Sequence, residues 1–458
     1  MKKFTLLAAV LAVALVAVPA SASVQNIKIS GSVDSTFVHR KNFDLGLSVR
    51  DESQSLFITQ STLQVDADLT DQVSATIGLL NERVWEQDVS TSDHTDLDIY
   101  LAYVTLREML YSPLTLVIGR QVFSYGNSLV MDATGTNNQV GGGDSGLDNI
   151  AEDLTIATSL DAFRAILDYN PLTVEIVYAV IDPGTVTLAN TDDAIYLVGA
   201  NATYELGDDM GSVVEAYLWN KENESVKIGN TGAKADVIKV IGLRGSTNPI
   251  EGLNVQLEWA HQGGVRTLNN ASAVVNQTRN AYALQAIVNY QIPMFEEYKP
   301  TAQYVFTKVS GNSKKEADAG VDYKAWDPFF EAQGGGTIYN AIFDLSDLVI
   351  HSVSFSATPM EDVTVKSSLH SLWRESGCSE SRCDTITLRS PDGGTVGYTG
   401  NSSTGGHLGK EFDLDITYDY TEDVQIGASL GFFHAGSVFE EVNEDTAKQL
   451  LVNLNVAF

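Results

Sequence analysis

From Ile27 to Phe458 apolar and polar residues alternate with a period of two, the pattern of half-buried strands. Leu253-Asn254-Val255-Gln256-Leu257-Glu258-Trp259 alternates without a fault. So do Glu411-Phe412-Asp413-Leu414-Asp415-Ile416-Thr417-Tyr418 and Ser352-Val353-Ser354-Phe355-Ser356-Ala357. Most segments run about 10 to 14 residues, enough to cross a bilayer at a tilt and longer than the usual globular strand. About eighteen strand candidates can be counted, an even number that puts both chain ends on one side of a closed sheet. The regions Asp193–Asp209 and Lys308–Leu348 alternate weakly, and sixteen is the alternative count if they hold no strand.

Alternation alone fits a soluble sandwich as well as a membrane barrel; the connections separate the two. Short turns fall at Thr70-Asp71-Gln72, Tyr111-Ser112-Pro113, Asn170-Pro171, Gly207-Asp208-Asp209, Asn248-Pro249-Ile250-Glu251, Pro359-Met360-Glu361-Asp362 and Thr421-Glu422-Asp423. Between them lie long polar loops such as Asn127–Leu154, Ser310–Leu348 and Gly377–Gly406. Short turns on one side and long loops on the other are the layout of a transmembrane antiparallel outer-membrane β-barrel. In such a barrel the apolar face meets lipid and the polar face lines a wet lumen.

Both ends agree. Lys2 and Lys3 precede the apolar run Leu6–Val18 and then Pro19-Ala20-Ser21-Ala22. This predicts a Sec-type signal peptide over residues 1–22, cleaved after Ala22, because the run is too short for a spanning helix. The barrel then occupies residues 23–458. Leu450, Val452, Leu454, Val456 and Phe458 share one face of a last strand, and the chain stops on the aromatic residue. A terminal aromatic of this kind resembles the signal read by the outer-membrane barrel assembly machinery. The expected location is the cell outer membrane, with membrane lipid and surface lipopolysaccharide as neighbours.

The formal charge of -31 arises from 59 acidic against 28 basic residues. It argues against nucleic acid, whose phosphates need a basic surface. A barrel of this strand number is too wide to be filled by its own wall, so it passes solutes unless loops narrow it.

Setting the most lipid-like face of each strand outward assigns the other to the lumen. With Phe163, Ala165 and Leu167 outward, Arg164 and Asp168 point inward. With Leu253, Val255, Leu257 and Trp259 outward, Asn254, Gln256 and Glu258 point inward. Lys366, Ser368, His370 and Arg374 share one face, as do Glu411, Asp413 and Asp415. Arg120 and Arg244 lie in strands with weaker alternation; the cost of a cation in lipid assigns them inward as well. Inward charges of both signs either build a constriction with a transverse field or pair across the wall.

Several segments resemble a known family. Gly119-Arg120-Gln121-Val122-Phe123-Ser124-Tyr125-Gly126, Ala325-Trp326-Asp327-Pro328-Phe329-Phe330, His407-Leu408-Gly409-Lys410-Glu411-Phe412-Asp413-Leu414 and Gly431-Phe432-Phe433-His434-Ala435-Gly436 follow one another in that order. In sequence and order they are similar to segments of the alginate-export family of outer-membrane porins. The resemblance spans nearly all of the chain beyond the signal peptide and implies an 18-stranded barrel. It also implies a polyuronate cargo, for which a lumen dominated by Arg and Lys is needed. The acidic balance points instead to a general, cation-tolerant or neutral-solute channel on that scaffold, for small hydrophilic solutes or saccharides. A structural or adhesive barrel with acidic partner-binding loops is the alternative.

The loop Asn127–Leu154 carries Asp132, Asp144, Asp148, Glu152 and Asp153 with no Lys or Arg. Charge runs usually mark solvated segments, so a solvated rim comes first, ahead of an inward constriction or a divalent-cation site. Cys378 and Cys383 lie in a polar loop and are expected to form a local disulfide in an oxidising compartment. No nucleophile elbow, phosphate-binding glycine loop or paired-histidine metal motif is found, so neither an enzyme nor a cofactor is expected.

Overall fold

The computed structural model describes residues 25–46, 53–85, 97–132, 151–156, 159–182, 194–224, 234–270, 273–312, 322–376, 386–389, 395–398, 406–439 and 445–458. The signal segment, Cys378 and Cys383 lie outside the described residues. The strands are β1 (Asn26–Lys41), β2 (Ser53–Thr70), β3 (Val73–Val84), β4 (Asp98–Leu106), β5 (Leu114–Gln121), β6 (Leu160–Asp168) and β7 (Leu172–Asp182). They continue as β8 (Ile195–Glu205), β9 (Val213–Asn223), β10 (Asp236–Ile250), β11 (Leu253–Asn270), β12 (Ala273–Gln291), β13 (Thr301–Val309), β14 (Leu348–Met360) and β15 (Val363–Arg374). A small hairpin, β16 (Ile386–Arg389) and β17 (Thr395–Tyr398), precedes β18 (His407–Thr421), β19 (Val424–Ala435) and β20 (Ala447–Ala457).

Leaving out the hairpin, each strand pairs antiparallel with its predecessor, and β20 pairs with β1, closing an 18-stranded barrel. Closure removes every sheet edge, which a lipid environment demands because no water is there to satisfy open backbone groups. Region 193–209, weak in alternation, contains β8, whereas the described residues 310–312 and 322–347, between β13 and β14, add no strand to the barrel.

Period-two patterning fixes the two faces. Phe57, Phe163, Leu218, Ile241, Leu257 and Val353 stand exposed on the outside, as an apolar belt in contact with lipid should. Register follows from it: Leu243 pairs with Trp259 on the outer face while Arg244 pairs with Glu258 on the inner one.

The hydrophobic core lies inside the barrel, on the long-loop side. There the inner wall is apolar too, through Val177, Leu197, Trp219, Val240, Ala283 and Leu372, and buried loop residues pack on it. Room for the rings is made by glycine. Trp219 lies across Gly199 on the paired strand, where an added Cβ would come within 2.0 Å of the indole, and Tyr217 lies across Gly242.

Candidate functional site

Two loop stretches enter the lumen and pair with one another. After β5 the chain runs inward through Phe123–Asp132, and after β13 it does so through Tyr323–Leu345. Phe330 N–H donates to Val130 O (3.1 Å), Asp132 N–H to Phe330 O (2.7 Å) and Ala332 N–H to Ser128 O (2.9 Å). Trp326, Phe329, Ile338, Ile342 and Phe343 are buried, and a one-turn helix α1 (Tyr339–Ile342) sits among them.

Irregular backbone in this position needs partners for its N–H groups. Wall carboxylates supply them. Glu411 accepts the N–H of Ile338 and of Tyr339, both at 2.7 Å. Glu215 accepts from Gly126 (3.0 Å), and Glu258 from Asn127 (3.2 Å) and from the Tyr217 hydroxyl (2.7 Å). On a third side Glu82 accepts from Ile156 (2.9 Å) and Thr155 (2.5 Å), while Arg40 forks onto Asp153. The described flanks of the acidic loop are therefore inside the barrel, not on a solvated rim: Asp132 accepts from Ser128 Oγ (2.6 Å) and Asp153 holds Arg40. Its middle, with Asp144 and Asp148, lies outside the described residues.

Several wall arginines are paired. Arg164 reaches Glu175 at 2.5 Å, and Tyr125 donates to the same carboxylate at 2.8 Å. Burial and the neighbouring Glu175 push the Tyr125 phenol up, so it stays a donor. Arg244 bonds Glu215, Gln256 and Asn127. Arg279 pairs with Asp236 and Arg374 with Asp347.

The sequence-assigned lumen residues divide into four groups. Arg164, Arg244 and Gln256 face inward in the network just described. Glu258, His370, Arg374 and Asp413 also face inward but are covered by loop: Asp413 accepts from Thr337 Oγ1 (2.7 Å), and His370 lies 2.7 Å from Ser352 Oγ and 3.2 Å from Asp413. Asp415 is half-buried and takes a hydrogen bond from Ser429, and Asp168 sits at the β6–β7 turn, where it accepts the Asn170 N–H. Lys366 alone of these borders three lumenal cavities, the widest of about 760 Å³, and among the described residues it has no hydrogen-bond or ion-pair partner.

Arg120 differs from its sequence assignment. It is on the outer face, paired with Asp161 two residues from the outward Phe163, and its guanidinium forks onto the Asp161 carboxylate at 2.9 and 3.0 Å. The cost of a cation there is offset by that bidentate pair near the loop end of two short strands. Arg120 continues the outward parity of Leu116 and Ile118 in an unbroken register, while Gly119 on the inner parity, at φ +125° against Ala102 O, has no room for a Cβ.

The inner surface left open is mostly amide and hydroxyl. Asn254, Asn289, Gln303, Ser354 and Ser356 border the widest cavity. Asp34, Asn453 and Ser429 border another near β1 and β20. Glu331 and Gln333, missed in the sequence, help hold the inward loop; Gln333 joins Gln285 of the wall to Asn127 O of the other loop. Among the described residues no group of three His, Cys, Asp or Glu side chains is placed to hold a metal ion.

The family model described as Alginate export matches residues 25–453. The chain belongs to the alginate export family. Among curated proteins, none matches it. Solved structures similar to this alginate-export-family barrel include OccK11 (OpdR) of Pseudomonas aeruginosa. It has 11% identity over 95% of this chain and 96% of that one, with a TM-score of 0.55. OpdK of the same organism, solved with vanillate, has 10% identity over 95% and 100%, with a TM-score of 0.56. OccK2 (OpdF), solved in complex with glucuronate, has 10% identity over 95% and 97%, with a TM-score of 0.54. At these identities the likeness is one of fold. Family and fold together are those of outer-membrane channels, and this chain is an outer-membrane channel protein.

Proposed function

We propose that this channel passes small hydrophilic solutes passively, favouring neutral hydroxylated molecules and cations over polyanions. One observation carries the reading: Arg40, Arg164, Arg244, Arg279 and Arg374 are held in ion pairs, and the surface left to a solute is amide, hydroxyl and carboxylate with Lys366 among them. A polyuronate needs a run of unpaired cations along its path, and five of the lumen-wall arginines are tied up in ion pairs. Solutes the size of the vanillate and glucuronate bound in OpdK and OccK2 match the lumenal cavities better than a polymer does, and a single carboxylate would meet Lys366. The inward loops take up part of the barrel interior.

Liposome swelling tests this with the full chain reconstituted at defined density. Monosaccharides should enter readily and disaccharides more slowly, while uronate oligomers should stay out. Fast uptake of uronate oligomers would contradict the reading. Folded protein that binds a partner through its loops but admits no solute would point to an adhesive barrel instead.

A further inference from the structure

The chain is strongly acidic, yet one part of its outer surface carries only cations. On the strands β18, β19, β20 and β1, which are neighbours in the barrel, the outward positions are every second residue. They run Lys410, Phe412, Leu414, Ile416; Ile426, Ala428, Leu430, Phe432, His434; Lys448, Leu450, Val452, Leu454; and Val33, Ser35, Phe37, His39. Neither Asp nor Glu occurs among them; Asp34, Glu411, Asp413 and Asp415 face inward, and Asp419, near the turn end of β18, has the same parity.

The lysines and histidines step down from strand to strand. Lys410 pairs across strands with His434, and Lys448 pairs with Phe432, the next outward residue below His434. His39 pairs with Leu450, one outward step below Lys448. All stand toward the loop ends of their strands, above the apolar belt, spread over four strands or about 15 Å at the usual strand spacing, with His39 two outward positions below His434. Lys410, His434 and Lys448 are exposed. His434 Nδ1 is tied to Thr446 Oγ1 at 2.9 Å and His39 Nδ1 to Ser55 Oγ at 2.8 Å, which leaves Nε2 of each ring for a ligand.

We infer that this row is a binding site for a phosphorylated glycolipid of the outer leaflet. Its acyl chains would lie on Phe412, Leu430, Leu450 and Phe37, and its phosphates on Lys410, His434 and Lys448. Their height in the wall is what selects the ligand. In a barrel with its short turns in the periplasm, this row lies at the outer interface, where an anionic headgroup meets the apolar belt. Two other outer-wall cations are matched by carboxylates, in Arg120–Asp161 and Lys308–Glu375. The inference rests on the outer-membrane reading of the chain.

The test uses the full folded chain in detergent, with phosphorylated lipid A and its dephosphorylated form as probes and native mass spectrometry as readout. The wild type should retain the phosphorylated form about tenfold or more over the other, from roughly one tenfold step per two lysines at a membrane surface. K410E/K448E should lose that preference, and the milder H39Q/H434Q should reduce it. Equal retention of both lipids by the wild type would overturn the inference, as would undiminished preference in K410E/K448E. So would a lipid-free wild-type oligomer that K410E/K448E dissolves, since the row would then join copies of the chain. Conductance of the same preparations separates the two claims. A conducting protein without phosphate preference loses only the lipid site, and a folded protein without conductance loses the channel reading.

Discussion

Replacing Glu411 by alanine removes the acceptor for two buried N–H groups, those of Ile338 and Tyr339, each at 2.7 Å. Leaving a buried donor without its partner costs about 1–3 kcal/mol, so about 2–6 kcal/mol of local docking is at stake. That is an upper range, because water entering the vacated space rehydrates the two donors. Burial of Ile338, Ile342 and Phe343 is untouched, so the loop should stay in the barrel while the turn at Thr337–Tyr339 lifts from the wall. A loss of about 3 kcal/mol raises the lifted population about a hundredfold. The assay is single-channel recording in planar bilayers, alongside heat-modifiable gel migration to show that the barrel is folded. Larger or flickering conductance steps are expected for Glu411→Ala, with Glu411→Gln in between because one amide oxygen still accepts. Unchanged steps and noise in folded Glu411→Ala would refute the role given to this carboxylate.

Three further outcomes follow from the same geometry. Lys366→Glu changes the lumen by two charges at a point bordering three cavities; at about 5 Å in screened water this is about 1 kcal/mol in favour of a cation and about as much against an anion, so the cation-to-anion permeability ratio from reversal potentials should rise about thirtyfold. Arg120→Ala and Asp161→Ala alter an outer-face pair and should leave the reversal potential where it was; a shift would mean that Arg120 reaches the lumen. Gly199→Ala places a Cβ 2.0 Å from the Trp219 ring and should cost about 1–3 kcal/mol by overpacking, seen as a lower urea midpoint for barrel unfolding; an unchanged midpoint would contradict the close approach.

The barrel itself was legible because its determinants are local. Alternation in 253–259 and 411–418 needs only adjacent residues, and the β10–β11 and β18–β19 pairings follow from the short turns between them. Lumen-face positions such as Arg164, Gln256 and Lys366 were readable wherever the opposite face was uniformly apolar. Arg120 was not. Leu114, Leu116 and Ile118 alternate with Thr115 and Val117, so both faces of β5 look lipid-like, and its partner Asp161 is far along the chain.

The inward loops were illegible for a related reason. Acidic, glycine-rich sequence reads as solvated, and nothing near Asp153 in the chain signals that Arg40 awaits it, or near Ile338 that Glu411 does. In the upper lumen the inner wall is apolar because loops pack on it. A polar face could not be assumed there, and Glu258, His370 and Asp413 turned out to be covered.

The central claim is that the lumen conducts, with Arg40, Arg164, Arg244, Arg279 and Arg374 held in ion pairs. Purified full-length protein in a planar bilayer under a salt gradient tests it most directly. The account predicts discrete conductance steps with a reversal potential on the cation-selective side, moved further that way by Lys366→Glu. Folded protein that gives no steps, or steps with strong anion selectivity, would contradict it.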